Sequence, residues 1–293
     1  MTALDFAGLR DTRAAHPERI AEILAARKRR NLIRGDGRLF IVAADHPARG
    51  ALGVGSNQDA MADRYQLLER LALALSRPGV DGVLGTPDII DDLALLGLLD
   101  DKIVVGSMNR GGLKGASFEM DDRYTAYDID SIVRDGLDFA KNLVRINLSD
   151  AGTAETLEAT AFAVSEAADA GVPIMLEPFI SEWVNGAIRN DLSADSVIRS
   201  IAIASGLGNS SSYSWLKVPV VAEMERVMAS TTLPTLLLGG DPTGDQDGTF
   251  EAWRASLALP GVRGLVVGRS ILYPQNGDVV SAIDIAASLV HGG

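Results

Sequence analysis

Five lysines occur in the 293 residues, and one of them, Lys217, lies inside an apolar run, Ser214-Trp215-Leu216-Lys217-Val218-Pro219. The other four, Lys28, Lys102, Lys114 and Lys141, fall in stretches that read as helix or loop. An ammonium in apolar surroundings loses hydration, its pKa falls, and the amine becomes a nucleophile near neutral pH. Such an amine can form a Schiff base with a carbonyl substrate. Strand alternation puts Trp215 and Lys217 on one face. A structural ion pair with Asp45 or Glu177 is the plain alternative for this lysine.

Other polar residues also end apolar runs. Asp45 and Glu177 follow the first and fifth runs, and two carboxylates in different environments can divide proton transfer between them. Arg110 after the third run, Arg145 and Asn147 in the fourth, and His46 after the first are candidates for holding substrate. His46 could also act as a base, although Pro47 leaves its direction open. Gly239 and Gly240 follow the seventh run, and Gly268 and Arg269 follow the eighth. Glycines let backbone N–H groups approach an anion and an arginine adds charge, so the two loops read as a phosphate cradle. Tight turns are the alternative, and Asp241, Asp245 and Asp247 make the first loop acidic.

These residues need elements to position them. Eight short apolar runs read as strands: Leu39–Ala44, Gly82–Leu84, Ile103–Ser107, Leu143–Leu148, Pro173–Leu176, Ser214–Val218, Thr235–Leu238 and Gly264–Val267. Stretches of helical period lie between them, such as Met61, Tyr65, Leu68, Ala72 and Leu75. Gly or Pro before several strands marks where helices stop, as at Pro78-Gly79 and Pro260-Gly261. Eight strand–helix units imply an α/β fold, a closed (β/α)8 TIM barrel. No linker divides the chain, so a single barrel domain, 36–293, is expected after a helical extension, 1–35, that caps the barrel's bottom. Pro17 suits a first helical turn there, and the basic cluster Arg27 to Arg30 reads as a solvated helix end. The long segment 107–130, with Arg110, Lys114 and several glycines, reads as a lid or clamp or as an excursion with no role.

Composition excludes several classes. The net charge of −12 argues against a nucleic-acid partner. The absence of cysteine removes disulfides and thiolate chemistry. Three scattered histidines, His16, His46 and His291, can hardly build a three-histidine zinc site, and no metal is expected. No apolar run reaches membrane-spanning length, and the first residues lack a secretion signal, so a cytoplasmic location without a membrane partner is expected.

Taken in order, Asp45-His46-Pro47, Leu176-Glu177-Pro178, Leu216-Lys217-Val218-Pro219, Gly239-Gly240 and Gly268-Arg269-Ser270-Ile271 resemble the class I aldolase superfamily. That group joins deoxyribose-phosphate, tagatose-bisphosphate and archaeal-type fructose-bisphosphate aldolases. The resemblance spans about residues 38 to 275 and implies Lys217 as the Schiff-base lysine, with Asp45 and Glu177 as acidic partners. It implies Gly240, Gly268 and Arg269 as phosphate-binding residues. Arg145 falls where the tagatose-type branch has a strand-four lysine; an arginine there keeps charge without giving up a proton, which favours substrate anchoring. The stretches Asn109-Arg110-Gly111-Gly112 and Phe118 to Arg123 look like a separate bacterial branch, so the substrate does not transfer with the fold.

The resemblance implies aldol cleavage of a phosphorylated sugar with no cofactor beyond the lysine Schiff base. The candidates are 2-deoxy-5-keto-gluconate 6-phosphate, fructose bisphosphate and deoxyribose phosphate. Two other readings stand beside it. Asp45, Glu177 and Asn147 could hold Mg²⁺ for a lyase or hydrolase, or the barrel could bind a sugar phosphate without turnover. A homo-oligomer is expected, since barrels commonly assemble through their outer helices.

Overall fold

The computed structural model describes residues 3–240 and 245–292. Nine strands are present among them: β1 Leu39–Ala43, β2 Gly82–Gly85, β3 Ile103–Ser107, β4 Phe139–Ile146, β5 Ile174–Val184, β6 Ala187–Asn190, β7 Ser214–Pro219, β8 Thr235–Leu238 and β9 Val262–Val267. All but β6 are parallel and run in the order β4-β3-β2-β1-β9-β8-β7-β5; the β4–β5 pairing closes the ring. The fold is therefore a (β/α)8 barrel, as the eight apolar runs imply. None of the described helices is long and apolar enough to cross a membrane.

Alternation along the strands separates two cores. Leu39, Ile41 and Ala43 of β1, Val105 of β3, Phe139 of β4 and Met175 of β5 meet inside the barrel. Phe40 and Val42 of β1, Val104 of β3 and Leu176 of β5 face the helices instead. Trp215 fills the interior with its ring edge-on to Phe139 at 5.4 Å. The same parity carries Ser107, Lys141, Leu143, Arg145, Glu177, Lys217 and Gly268 upward on the inner face.

The extension forms two helices, Phe6–Ala15 and Glu18–Ala26, with Pro17 at the N-cap of the second. Leu32 packs against the interior cluster and plugs the bottom of the barrel. The basic cluster is only in part a solvated helix end, which corrects the expectation: Lys28 and Arg29 are exposed, but Arg27 and Arg30 are not. Arg27 is buried and donates to the carbonyls of Lys102 and Gly136 and to Asp138 at 2.9 Å. Arg30 pairs with Asp81 at 2.5 Å. These arginines tie the extension to Asp81 and Asp138, which directly precede β2 and the core of β4 and accept from backbone N–H groups of Phe40 and Val104.

Two elements depart from the sequence expectation. β4 starts at Phe139, four residues earlier than expected, because Lys141 and Asn142 interrupt the apolar run while remaining buried. β5 continues beyond Leu176 to Val184 and turns back into β6. Asn185 and Gly186 make that turn with φ of 52° and 76°, the left-handed pair that a two-residue hairpin requires.

Candidate active site

The carboxyl ends of the strands surround a cavity of about 700 Å³. Lys217 of β7 and Glu177 of β5 both reach its wall. The ring closes at these strands, with β5 hydrogen-bonded to β4 on one side and β7 on the other. Their inward side chains must therefore meet. Glu177 takes Lys217 Nζ on Oε1 at 2.8 Å and Lys141 Nζ on Oε2 at 2.5 Å. Lys141 also lies 3.4 Å from Oδ2 of Asp45, which accepts from Ser107 Oγ at 3.0 Å and is in contact with Arg110. A line of alternating charge thus runs Lys217, Glu177, Lys141, Asp45, Arg110, and every member is buried.

Burial decides the electrostatics of this line. It lowers the pKa of Lys217, opposed by Glu177 and reinforced by Arg110 and Arg269. It lowers Lys141 further, with Arg110 and Lys217 adding to the effect. Burial alone would raise Glu177, but Lys141, Lys217 and Arg110 outweigh it and hold the carboxyl well below the usual carboxylate range. The two amines differ in access: Lys217 borders the cavity, while the Lys141 side chain is fully covered beneath it.

Several sequence-derived candidates converge here. Lys217, Glu177, His46, Arg110, Arg145, Gly239, Gly240, Gly268 and Arg269 all border the cavity. Asp45 lies below it, reached through Lys141 and Arg110. His46 stands with Nδ1 3.8 Å from Asp45 Oδ1, and burial together with Arg269 and Lys217 drives its pKa well down. Gly268 ends β9 so close to β1 that a Cβ would stand 2.1 Å from the Ala43 carbonyl oxygen. Asp245 and Asp247 are exposed, and Asp241 lies outside the described residues.

Three placements correct the expectation. Asn147 is past the end of β4, where its N–H donates to Thr153 Oγ1 and its side chain accepts from Ser149, so it organises the start of the helix Gly152–Ala170 outside the cavity. It therefore cannot join Asp45 and Glu177 around a magnesium ion, and each of those carboxylates already faces lysine or arginine. No group of three or more His, Asp or Glu placed to hold a metal ion occurs among the described residues. Arg145 borders the cavity, but its guanidinium is committed to Asp122 at 2.5 Å and to the Glu119 carbonyl. It pins the segment 108–128, which Asn109 also fastens to β4 through Leu143. Lys141, read from the sequence as part of a helix or loop, lies in β4 four residues before Arg145 on the same inward face. Its signal was the alternation Phe139, Lys141, Leu143, Arg145. Arg49, Glu119 and Arg189 also border the cavity without having been singled out.

Archaeal-type class I fructose-bisphosphate aldolases are structural neighbours of this barrel. An archaeal fructose 1,6-bisphosphate aldolase is 18% identical with a TM-score of 0.66, covering 94% of this chain and 100% of its own. A fructose-bisphosphate aldolase from Slackia heliotrinireducens is 15% identical with a TM-score of 0.62, covering 99% and 90%. At such identities the likeness is one of fold. No curated protein matches the chain. The crystal structure of Cgl0159 from Corynebacterium glutamicum is far nearer, at 71% identity and a TM-score of 0.96 over 98% of this chain and 96% of that one. The Cgl0159-like family model matches residues 37–287, and the chain belongs to that family.

Proposed function

We propose that the protein is a class I aldolase that cleaves or forms a C–C bond in a phosphorylated ketose or keto sugar acid through a Schiff base on Lys217. The observation that carries this reading is Glu177, one carboxylate shared by two buried lysines of which only Lys217 borders the cavity. Relief of burial by losing a proton leaves Lys217 a free amine facing the substrate.

The amine attacks the ketone carbon and forms a carbinolamine. Loss of water, with a proton delivered to the departing oxygen, gives a protonated imine. A base takes the proton of the hydroxyl on the carbon beyond the scissile bond, and that bond breaks. Its electrons enter the imine to form an enamine as the aldehyde leaves. Protonation of the enamine carbon and addition of water return the amine and the second product. Glu177, in contact with Lys217 and bordering the cavity, is the carboxylate placed to move these protons. Asp45 lies deeper and acts through Lys141 and Arg110 as a positioning residue. The glycine ends of β8 and β9 with Arg269 receive the phosphate.

The test is borohydride reduction in the presence of dihydroxyacetone phosphate and a panel of ketose phosphates, followed by peptide mass mapping. An adduct on Lys217, absent in Lys217→Met, is expected. No adduct in folded protein with any of the compounds, or undiminished turnover in Lys217→Met, would refute the reading.

A further inference from the structure

The cavity has two unlike ends on either side of Lys217. β8 and β9 bring Gly239, Gly240, Gly268 and Arg269 to one side. β5 lies on the other side, and its hairpin brings Ile188, Arg189 and Asn190 to the wall. Cations near that second end already have partners. Arg145 is held by Asp122, Arg110 touches Asp45, and Arg49 lies 3.6 Å from Glu119. Arg189 differs. It is exposed, its backbone is paired with Glu182 across the hairpin, and its side chain makes no hydrogen bond or ion pair among the described residues.

The hairpin that presents Arg189 is braced. Trp183 Nε1 donates to Asp150 at 3.1 Å, and Ser181 Oγ donates to Asn190 Oδ1 at 2.8 Å. Four consecutive residue pairs join β5 to β6, and the Asp191 N–H closes onto the Ile180 carbonyl at 2.9 Å. An exposed arginine on a braced ribbon that borders the cavity, with no side-chain counter-charge among the described residues, is available to an anion brought by the ligand. The order of these strands around the ring puts Lys217 between the two ends. One end of the ligand would sit on the β8–β9 glycines, the carbonyl on Lys217, and the far end against the hairpin.

We propose that Arg189 is the specificity-determining residue for the far end of the substrate, and that this end carries a second anionic group, a phosphate or a carboxylate. The orientation rests on the aldolase reading above. Deoxyribose phosphate, with a single anionic group, is then a poor fit, while a sugar bisphosphate or a phosphorylated keto acid fits.

Polyols without a carbonyl test this apart from Schiff-base chemistry. Calorimetric titration of glucitol 6-phosphate, glucitol 1,6-bisphosphate and gluconate 6-phosphate compares one anion with two. A two-anion ligand should bind wild-type protein about tenfold or more tightly than the monophosphate, as charge-assisted hydrogen bonds do. The better of the two identifies the second anion as phosphate or carboxylate. In Arg189→Ala, folded as judged by an unchanged melting temperature, that preference should fall to near one, and Arg189→Lys should restore part of it. Equal binding of all three by wild-type protein, or a preference that survives in Arg189→Ala, would overturn the proposal. Trapping on Lys217 is scored separately. A preference for two anions without any adduct would sink the aldolase reading alone, and an adduct without the preference would sink the role of Arg189 alone.

Discussion

Replacing Glu177 by Gln tests the charge line at its centre. The substitution keeps size and removes the charge that faces Lys217 at 2.8 Å and Lys141 at 2.5 Å. Breaking a buried ion pair from one side costs about 3–5 kcal/mol, because the remaining charge stays buried. For a chain of this length that is a fall in Tm of roughly 5–8 °C. The loss depends on pH with a definite sign. The pKa of Glu177 is depressed in the folded state, so its stabilisation is present above its unfolded value and fades only in acid, as pH falls through the folded value. Between pH 6 and 9 the lysines therefore set the difference. Their folded pKa values are already lowered, and losing Glu177 lowers them again. The folded variant sheds those protons as pH rises while the unfolded chain keeps them, so the variant gains stability relative to wild type. The Tm gap should be widest at pH 6 and narrower at pH 9. Turnover should fall about 10²- to 10⁴-fold with the proton carrier gone, while borohydride trapping on Lys217 persists. Differential scanning calorimetry at the two pH values and single-turnover trapping measure both. A gap that is flat or widens with pH, or near-wild-type turnover, would refute the shared-carboxylate account.

Three further outcomes follow from the contacts. Gly268→Ala places a Cβ 2.1 Å from the Ala43 carbonyl oxygen, so β1 and β9 must part by about 1 Å, which should lower kcat/KM on the order of 100-fold and stability by about 1–3 kcal/mol; wild-type kinetics and Tm would contradict this. Asp122→Asn leaves the Arg145 guanidinium buried without its counter-charge, costing about 3–5 kcal/mol, and limited proteolysis should then cut within residues 110–125, which wild-type protein resists. His291 is pushed up to about 9 by hydrogen bonds to Asp81 and Asp36, against burial. Its stabilisation is complete below its unfolded value and disappears as pH rises through about 9, so His291→Gln should melt below wild type at pH 6 and with it at pH 10; a gap equal at both pH values would contradict the assignment.

The barrel was legible because its strands are short apolar runs, each buried on both faces, set off by Gly and Pro. Lys217 and Glu177 were legible because each breaks or ends such a run. Lys141 was not, for the same physical reason in reverse. With Asn142 beside it, it made Phe139–Asn142 look polar, although Glu177 and Tyr124 accept the two side chains inside the protein. A count of apolar residues cannot see a partner that lies 36 positions away in sequence. The hairpin was missed because Glu177-Pro178 read as a strand end. The Asn185-Gly186 turn was the signal that could have found it. Arg145 and the basic cluster at 27–30 stand out in the sequence, but their ion-pair partners do not. Their roles depend on Asp122, Asp138 and Asp81, which come from other elements and meet them only when the ring closes.

That closure also bears on how Lys217 would become the reactive amine of the proposed function. A buried lysine with a carboxylate of its own is stable as an ion pair and stays protonated. Here one carboxylate serves two lysines, and the second carboxylate, Asp45, is shared with Arg110, which burial brings down only to about 10 and which therefore remains charged. Three cations face two anions inside a low-dielectric core. The cheapest way to balance that set is for one lysine to give up its proton. Lys141 touches both carboxylates and has no opening to the cavity, whereas Lys217 touches one and borders it. Under the proposed function, a carbonyl bonding to the neutral form of Lys217 would leave the proton to the buried line Glu177–Lys141–Asp45, away from water. Removing Lys141 should therefore leave Glu177 to Lys217 alone, raise the pKa of Lys217 and slow imine formation at neutral pH. Trapping rates of Lys141→Met measured from pH 6 to 9 decide this: a profile displaced toward higher pH supports the shared-proton account, and one displaced toward lower pH defeats it.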